Sequence, residues 1–453
     1  MVLHTASDVI VRDLAENLPR RVVRTVHAES MENVRQAVLE ANRTGVPIYP
    51  ISRGLNWGLG SRAPVRDDCM LLDLSRMKKI RHLDVDTGYA VIEPGVSQGE
   101  LSDRLLDTPY LLNVTTSCRD SSIIGNALDR GQGMLRLRIH DLSGFEVVLG
   151  TGEVITTGGT EVVAGHPYCG LTAGPDLSRL FCQSNFGVAT AATISLVRRP
   201  ECTSFVYGHF EGAAMPRLVD LLVRLRRDGL FRSIVYLSEM QVDVGAKQYP
   251  DFTALLPLLG RRRVVEAAEE IVRDELGRMP GCKSVRVGLA DEVKRDDPLY
   301  VRARMFLGIP TCEMIRNRFG TPTCELDETS RLGWSVVQTL LPQDGKSVDD
   351  AMQVLQSCVD QYRLPAQPHF STVSSRAINL MTMIWFERTP GVIERMRQMR
   401  DHLREELSRR GYQPSREGID ALRIGNPVAQ DPGLKRIKAA LDPSGIIAPG
   451  RYV

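Results

Sequence analysis

The chain has 453 residues, of which 43% are hydrophobic and 25% charged, and a formal net charge of +2. That length exceeds one ordinary domain and points to two or three, and the composition is that of a soluble globular protein with a sizeable core. The near-balanced charge excludes the basic footprint of a nucleic-acid binder. The opening segment, "MVLHTASDVIVRDLAENLPRR", has early acidic residues and no apolar h-region, which argues against secretion. No apolar run reaches the ~18 residues a membrane span needs. Residues 30–44 read as a helix: Ser30 is a natural N-cap, Val34, Val38 and Ala41 recur on one face, and Gly45 closes it.

A strand, "VPIYPI", follows, and then a glycine-rich loop. "CMLLDLS", "YAVIEPGV", "FEVVLGTGEVITTGG" and "AATISLVRRPE" read as further short strands separated by turns, so the first two hundred or so residues are α+β with β dominant. Beyond Pro200 longer helical patterns appear. In "GVIERMRQMRDHLREELSRRG" the residues Val392, Met396, Met399, Leu403 and Leu407 form an apolar stripe that reads as core packing, and Gly411 is the stop. The nine cysteines, Cys169 among them, are scattered without a CxxC pair. The expectation is reduced thiols in a cytoplasmic protein, without a disulfide framework or zinc site.

The loop itself, "ISRGLNWGLGSRAP" (residues 51–64), fits GxGxxA at Gly58, Gly60 and Ala63. A dinucleotide fingerprint needs a helix opening at the third position, and Pro64 with "VRDD" follows instead. A Walker loop fails for want of Gly-Lys-Ser/Thr. Two readings stay open: a hairpin loop with no ligand, or an anion nest of successive N–H groups with no helix behind it. Two further stretches rich in glycine and small polar residues, "TTSCRDSSIIGNALDRGQG" and "PDLSRLFCQSNFGVAT", are unsuited to core strands.

Together these segments resemble the vanillyl-alcohol oxidase and p-cresol methylhydroxylase (PCMH-type) family of FAD flavoproteins, its 4-alkylphenol-oxidising branch in particular. "SRGLNWGLGS" matches the family's pyrophosphate loop, "SSIIGNALDRG" its flavin loop and "LFCQSNFGVAT" the segment beside the adenine end. "FLGIPT", "FERT" and "GIIAPGRYV" match cap and C-terminal signatures, in order along nearly the whole chain. The resemblance implies an α+β architecture. A PCMH-type FAD-binding domain of two α+β subdomains would take residues 1–205 and 420–453, and residues 206–419 would form an α+β cap with an antiparallel sheet.

It also implies the site. FAD would be held by Ser52, Arg53, Gly54, Leu55, Asn56, Trp57 and Ser61 of the first loop, with Pro94. Thr116, Ser117, Ser121, Ser122, Gly125 and Asn126 would contribute from the flavin loop, Gly187 and Val188 from the third segment, and Arg451 from the C-terminus. Amides of residues 53–57 suit a doubly charged pyrophosphate if side chains stay clear. Relatives tether the flavin through a histidine where this chain has Asn379 and Leu380, or Asn56, so dissociable FAD is expected; a tyrosyl link elsewhere in the cap stays open. Relatives also bind phenolate with a Tyr-Arg pair in "GYxxYRT". This chain reads "GYQPSREG": Tyr412 and Arg416 are kept and Ser415 replaces the tyrosine. Ser117 stands where relatives have an acid–base aspartate. The catalytic candidates are therefore Arg416, Ser117 and Tyr412, with Arg416 as bidentate anchor for an anionic group.

His140 and His369 read as satisfied or exposed histidines and Cys118 as a small buried residue, although Arg119 beside it would favour a lowered thiol pKa. The activity implied is hydride removal from a small organic molecule (alcohol, amine or aromatic side chain) to flavin N5, by an oxidase or dehydrogenase. The alternative is a structural or non-redox use of FAD. No nucleic-acid or membrane partner is expected, and a homodimer is compatible with this reading.

Overall fold

The computed structural model describes residues 9–158, 174–238, 240–374, 376–423 and 430–453; Cys169 lies outside them. Three of the four sheets among the described residues organise the fold. The first has the order Val9–Val11, Arg20–His27, Cys69–Asp73, Ile48–Ile51, with Cys69–Asp73 parallel to both neighbours. Every residue of Cys69–Asp73 is buried, as befits a parallel strand covered on both faces. The helix Met31–Thr44 crosses over this sheet. Ser30 accepts from the amide of Asn33, Gly45 closes the helix in the left-handed region, and Val34, Ala37, Val38 and Ala41 are buried. The C-terminus returns here: the amide of Ile48 donates to Ile446, and that of Ala448 donates to Ile48.

The second sheet is antiparallel, in the order Ile80–Asp84, Tyr89–Ile92, Gly187–Ser195, Leu142–Leu149, Val154–Thr157. The third is an eight-stranded antiparallel sheet between Cys202 and Arg416. Its long strands alternate strictly. On Ala377–Glu387 the residues Ile378, Leu380, Ile384 and Phe386 pack into an apolar core, and Asn379, Met381, Met383 and Trp385 face the other way. The helices Met215–Arg227, Arg262–Gly277, Gly345–Tyr362 and Pro390–Arg409 cover the core face. The stripe of Met396, Met399, Leu403 and Leu407 is fully buried there, each side chain contributing about 1.5–3 kcal/mol. The opposite face is left for the site.

One sequence expectation is corrected. Cys118 and Cys312 form a disulfide across 194 residues, so the cysteine argument for a reducing compartment does not stand. The bond ties residues 115–133 to the segment entering the helix Glu313–Phe319, and Ser102 reinforces the tie by donating to the carbonyl of Gly308. Six other described cysteines are free thiols. No helix among the described residues is long and apolar enough to cross a membrane.

Candidate functional site

The first loop leaves the parallel sheet at Ile51 and turns through Gly54 (φ 67°) and Gly58 (φ 81°), positions in the left-handed region. A Cβ on Gly58 would lie 2.6 Å from Val336 Cγ2, and one on Gly54 would run into the Arg62 side chain. Asn56 then closes the turn with its carbonyl, which accepts from the amides of Leu59 and Ser61, both at 3.1 Å. The amides of residues 53–57 donate to no acceptor among the described residues. Arg53 is spent locally: it donates to the Gly95 carbonyl at 3.1 Å and sits 3.8 Å from Glu100.

Two buried polar side chains shape the stretch of residues 115–133. Gln98 donates to the carbonyls of Thr115 and Cys118 and accepts from the amide of Thr115 and from Arg138. Arg138 also donates to the Asn113 carbonyl, and burial pushes its pKa down to about 10. The loop ends in a short helix, Ile123–Leu128, absent from the sequence reading. Its signal was Ser122, whose hydroxyl caps the amide of Gly125 and donates to the Pro94 carbonyl. Ser117 and Ser121 share a hydrogen bond at 2.9 Å. In the third segment Gln183 donates to the Ser415 carbonyl, and Asn185 donates to Ala448 and Val453.

These segments form one wall of a cavity of about 740 Å³, within the usual range for ligand sites. Every residue named above for FAD lines it, from Ser52 to Arg451, and so do Ser117 and Arg416. Asn126 Oδ1 and Ser184 Oγ on this wall have no hydrogen-bond partner. A wall with a run of unpaired amides and unsatisfied side chains fits a long polyanionic ligand such as FAD.

The facing wall is the open side of the eight-stranded sheet. Register sets His369, Met381, Gln338 and Arg416 in one row across four strands. With neighbouring strands about 4.8 Å apart, His369 and Arg416 lie on the order of 14 Å from each other. A second row pairs Trp334 with Trp385, stacked at 5.3 Å, and Arg318 sits 4.1 Å above Trp385. His369 is a cavity residue that sequence reasoning undervalued. Burial, then the Arg302 guanidinium, push its pKa down to about 3, so the ring is neutral at physiological pH. His140, by contrast, is exposed on its 3₁₀ turn and does not line the cavity.

Arg416 is already paired. It donates to Asp129 at 2.5 Å and to Asn56 Oδ1 at 2.9 Å, and Asp129 also receives the Tyr452 hydroxyl and lies 3.5 Å from Arg451. Burial alone would raise the Asp129 carboxyl, but Arg416 and Arg451, with the Tyr452 hydroxyl, outweigh it and hold it below its ordinary value. Tyr412 is a correction. It does not line the cavity; its hydroxyl donates to Asp350 on the helix side of the sheet. Ser415 takes no tyrosine-like role either, since its hydroxyl donates to Asn379 Oδ1. Leu380 faces the core, so of the residues at the relatives' tether positions only Asn379 and Asn56 reach the cavity.

Comparison with known proteins gives the family and the fold. The FAD binding domain family matches residues 23–158. The 1'-carboxy-chondrochloren decarboxylase of Chondromyces crocatus is 30% identical over 99% of this chain and 94% of its own. The 4-cresol dehydrogenase [hydroxylating] flavoprotein subunit of Pseudomonas putida is 27% identical, covering 96% and 88%. Among solved structures, p-cresol methylhydroxylase with substrate bound superposes with a TM-score of 0.83 at 23% identity, covering 95% of this chain and 89% of that one. That likeness is one of fold.

Proposed function

This chain belongs to the flavoprotein oxidoreductases built on the PCMH-type FAD-binding domain, and from that membership we propose that it oxidises an arylalkyl substrate bound on the open face of its cap sheet. FAD, once bound, would supply the redox chemistry as a hydride acceptor. The protein's share is to bind, orient and manage charge. Residues 53–57 would hold the pyrophosphate through their free amides. Arg416 and Arg451 share the single carboxylate of Asp129, which leaves that trio with one net positive charge, matched to an anionic cofactor. The flavin is held without a covalent bond, since Asn56 and Asn379 stand at the tether positions and neither is a nucleophile.

The observation that carries the substrate class is the row structure of the sheet face. Stacked Trp334 and Trp385 and the thioethers of Met381 and Met383 offer an adaptable surface to an aromatic ring. Neutral His369, at the end of one row, would offer the substrate a hydrogen-bonding ring without adding charge. The phenolate pair of the family is dismantled here, since Ser415 is bonded to Asn379 and Arg416 to Asp129. The substrate is therefore not a simple 4-alkylphenol. A relative named as the decarboxylase of a 1'-carboxy compound, across nearly the full length of both chains, supports a substrate that bears a carboxyl group. Anaerobic mixing of the holoprotein with a panel of aryl-substituted alkanoic acids and 4-alkylphenols tests this. Bleaching of the flavin band by an acid of the panel is expected; reduction by simple 4-alkylphenols alone would contradict it.

A further inference from the structure

The cavity holds several guanidinium groups, and they differ in what already neutralises them. Arg53 lies by Glu100, and Arg416 and Arg451 share Asp129. Arg130 and Arg318 are exposed. Arg302, on the helix Tyr300–Phe306, is half-buried and has no carboxylate within ion-pair distance among the described residues. Its hydrogen bond is a long one, 3.3 Å to the Ser238 hydroxyl. A cation in a partly dry site without a counter-charge is costly unless a ligand brings one.

The described groups around it bring none. His369 and Tyr236, ring centroids 5.8 Å apart, are the titratable groups facing it from the sheet. His369 is neutral. The Tyr236 hydroxyl is committed to the Gly133 carbonyl at 2.8 Å, and burial raises its pKa. We propose that Arg302, assisted by the Ser238 hydroxyl, is the anchor for a carboxylate on the substrate, at the His369 end of the cross-strand row and remote from Arg416. The site takes a monoanion, because one guanidinium supplies one charge, and a planar one, because the fork donates in a plane. The place assigned to Arg416 from sequence passes to Arg302, whose charge is not already spent on Asp129. This rests on the reading that the sheet face is the substrate wall.

The test uses FAD-bound protein and the perturbation of the flavin absorption band as a binding readout that needs no turnover. The probes are 3-phenylpropanoate and its neutral amide, 3-phenylpropanamide. The wild type is expected to bind the acid at least about tenfold more tightly than the amide, the size of one charge-assisted contact. Arg302→Gln should bring the acid down to the amide's affinity with FAD retained, and Arg302→Lys should recover part of the preference. Equal binding of acid and amide by the wild type, no binding of either, or an undiminished acid preference in Arg302→Gln, overturns the proposal. Should Arg302→Gln not fold, the wild-type comparison and Arg302→Lys decide. An Arg302-dependent preference without flavin reduction by any acid would sink the redox reading and leave the anchor standing. Flavin reduction by an acid with unchanged affinity in Arg302→Gln would do the reverse.

Discussion

Replacing Asp129 by Asn removes one negative charge while keeping shape and one acceptor. In the wild type that carboxylate faces Arg416 at 2.5 Å, Arg451 at 3.5 Å and the Tyr452 hydroxyl at 2.5 Å, and both the Asp129 and Arg416 side chains are little exposed (13% and 14%). The substitution leaves two guanidiniums facing each other without a counter-ion. Breaking a fully buried pair costs ~3–5 kcal/mol, and the residual exposure brings the expected loss to about 2–4 kcal/mol. Denaturant unfolding of the apoprotein measures it, and the double variant Asp129→Asn/Arg416→Gln should regain part of the loss, because the stranded charge goes with it. The pH dependence follows from the sign of the shift. A carboxyl held below its ordinary value contributes stability above that value and loses it as pH falls through the folded pKa. The deficit of Asp129→Asn should therefore be flat between pH 5 and 8 and shrink only below about pH 4. A loss under about 1 kcal/mol, or a double variant no better than the single one, would refute the charge accounting.

Acid precipitation of the holoprotein should release all the yellow colour into the supernatant, because Asn56 and Asn379 replace the family's tethering histidines; colour in the pellet would show a covalent flavin. Gly54→Val should purify without FAD, since φ 67° is hostile to a branched residue and the new side chain would displace Arg62; absorbance spectra equal to the parent's would refute the placement of the phosphate loop. Asp13→Asn reports a second buried acid, raised to about 7 by burial and then by Asp327. The folded wild type binds an extra proton between its unfolded value and about 7 and loses stability as pH rises through that window. The variant should thus gain on it by about 2 kcal/mol between pH 5 and pH 8 in paired thermal melts, and a gap that does not change with pH would count against it.

What the sequence made legible were features carried by local pattern. Glycines before a strand-flanked Pro64 marked a loop that is no Rossmann turn, and its amides are the unpaired ones. The stripe from Met396 to Leu407 was core. What it hid were features created by pairing. His369 and Arg302 meet only because Tyr236–Ser238 lies beside Ala366–Thr372 and the helix Tyr300–Phe306 packs over that edge. Tyr412 was a catalytic candidate because "GY" matches the relatives' motif, yet the strand Gln413–Arg416 begins just after it and its ring is left on the helix side. The Cys118–Cys312 bond spans two distant segments whose spacing has no meaning until the chain folds back.

A crystal structure of the holoprotein tests the account most directly. The pyrophosphate oxygens are expected within about 3 Å of the amides of residues 53–57, with the isoalloxazine turned toward the sheet row from His369 to Arg416. Phosphates seated elsewhere, or a flavin ring facing bulk solvent with the sheet face uncovered, would contradict it.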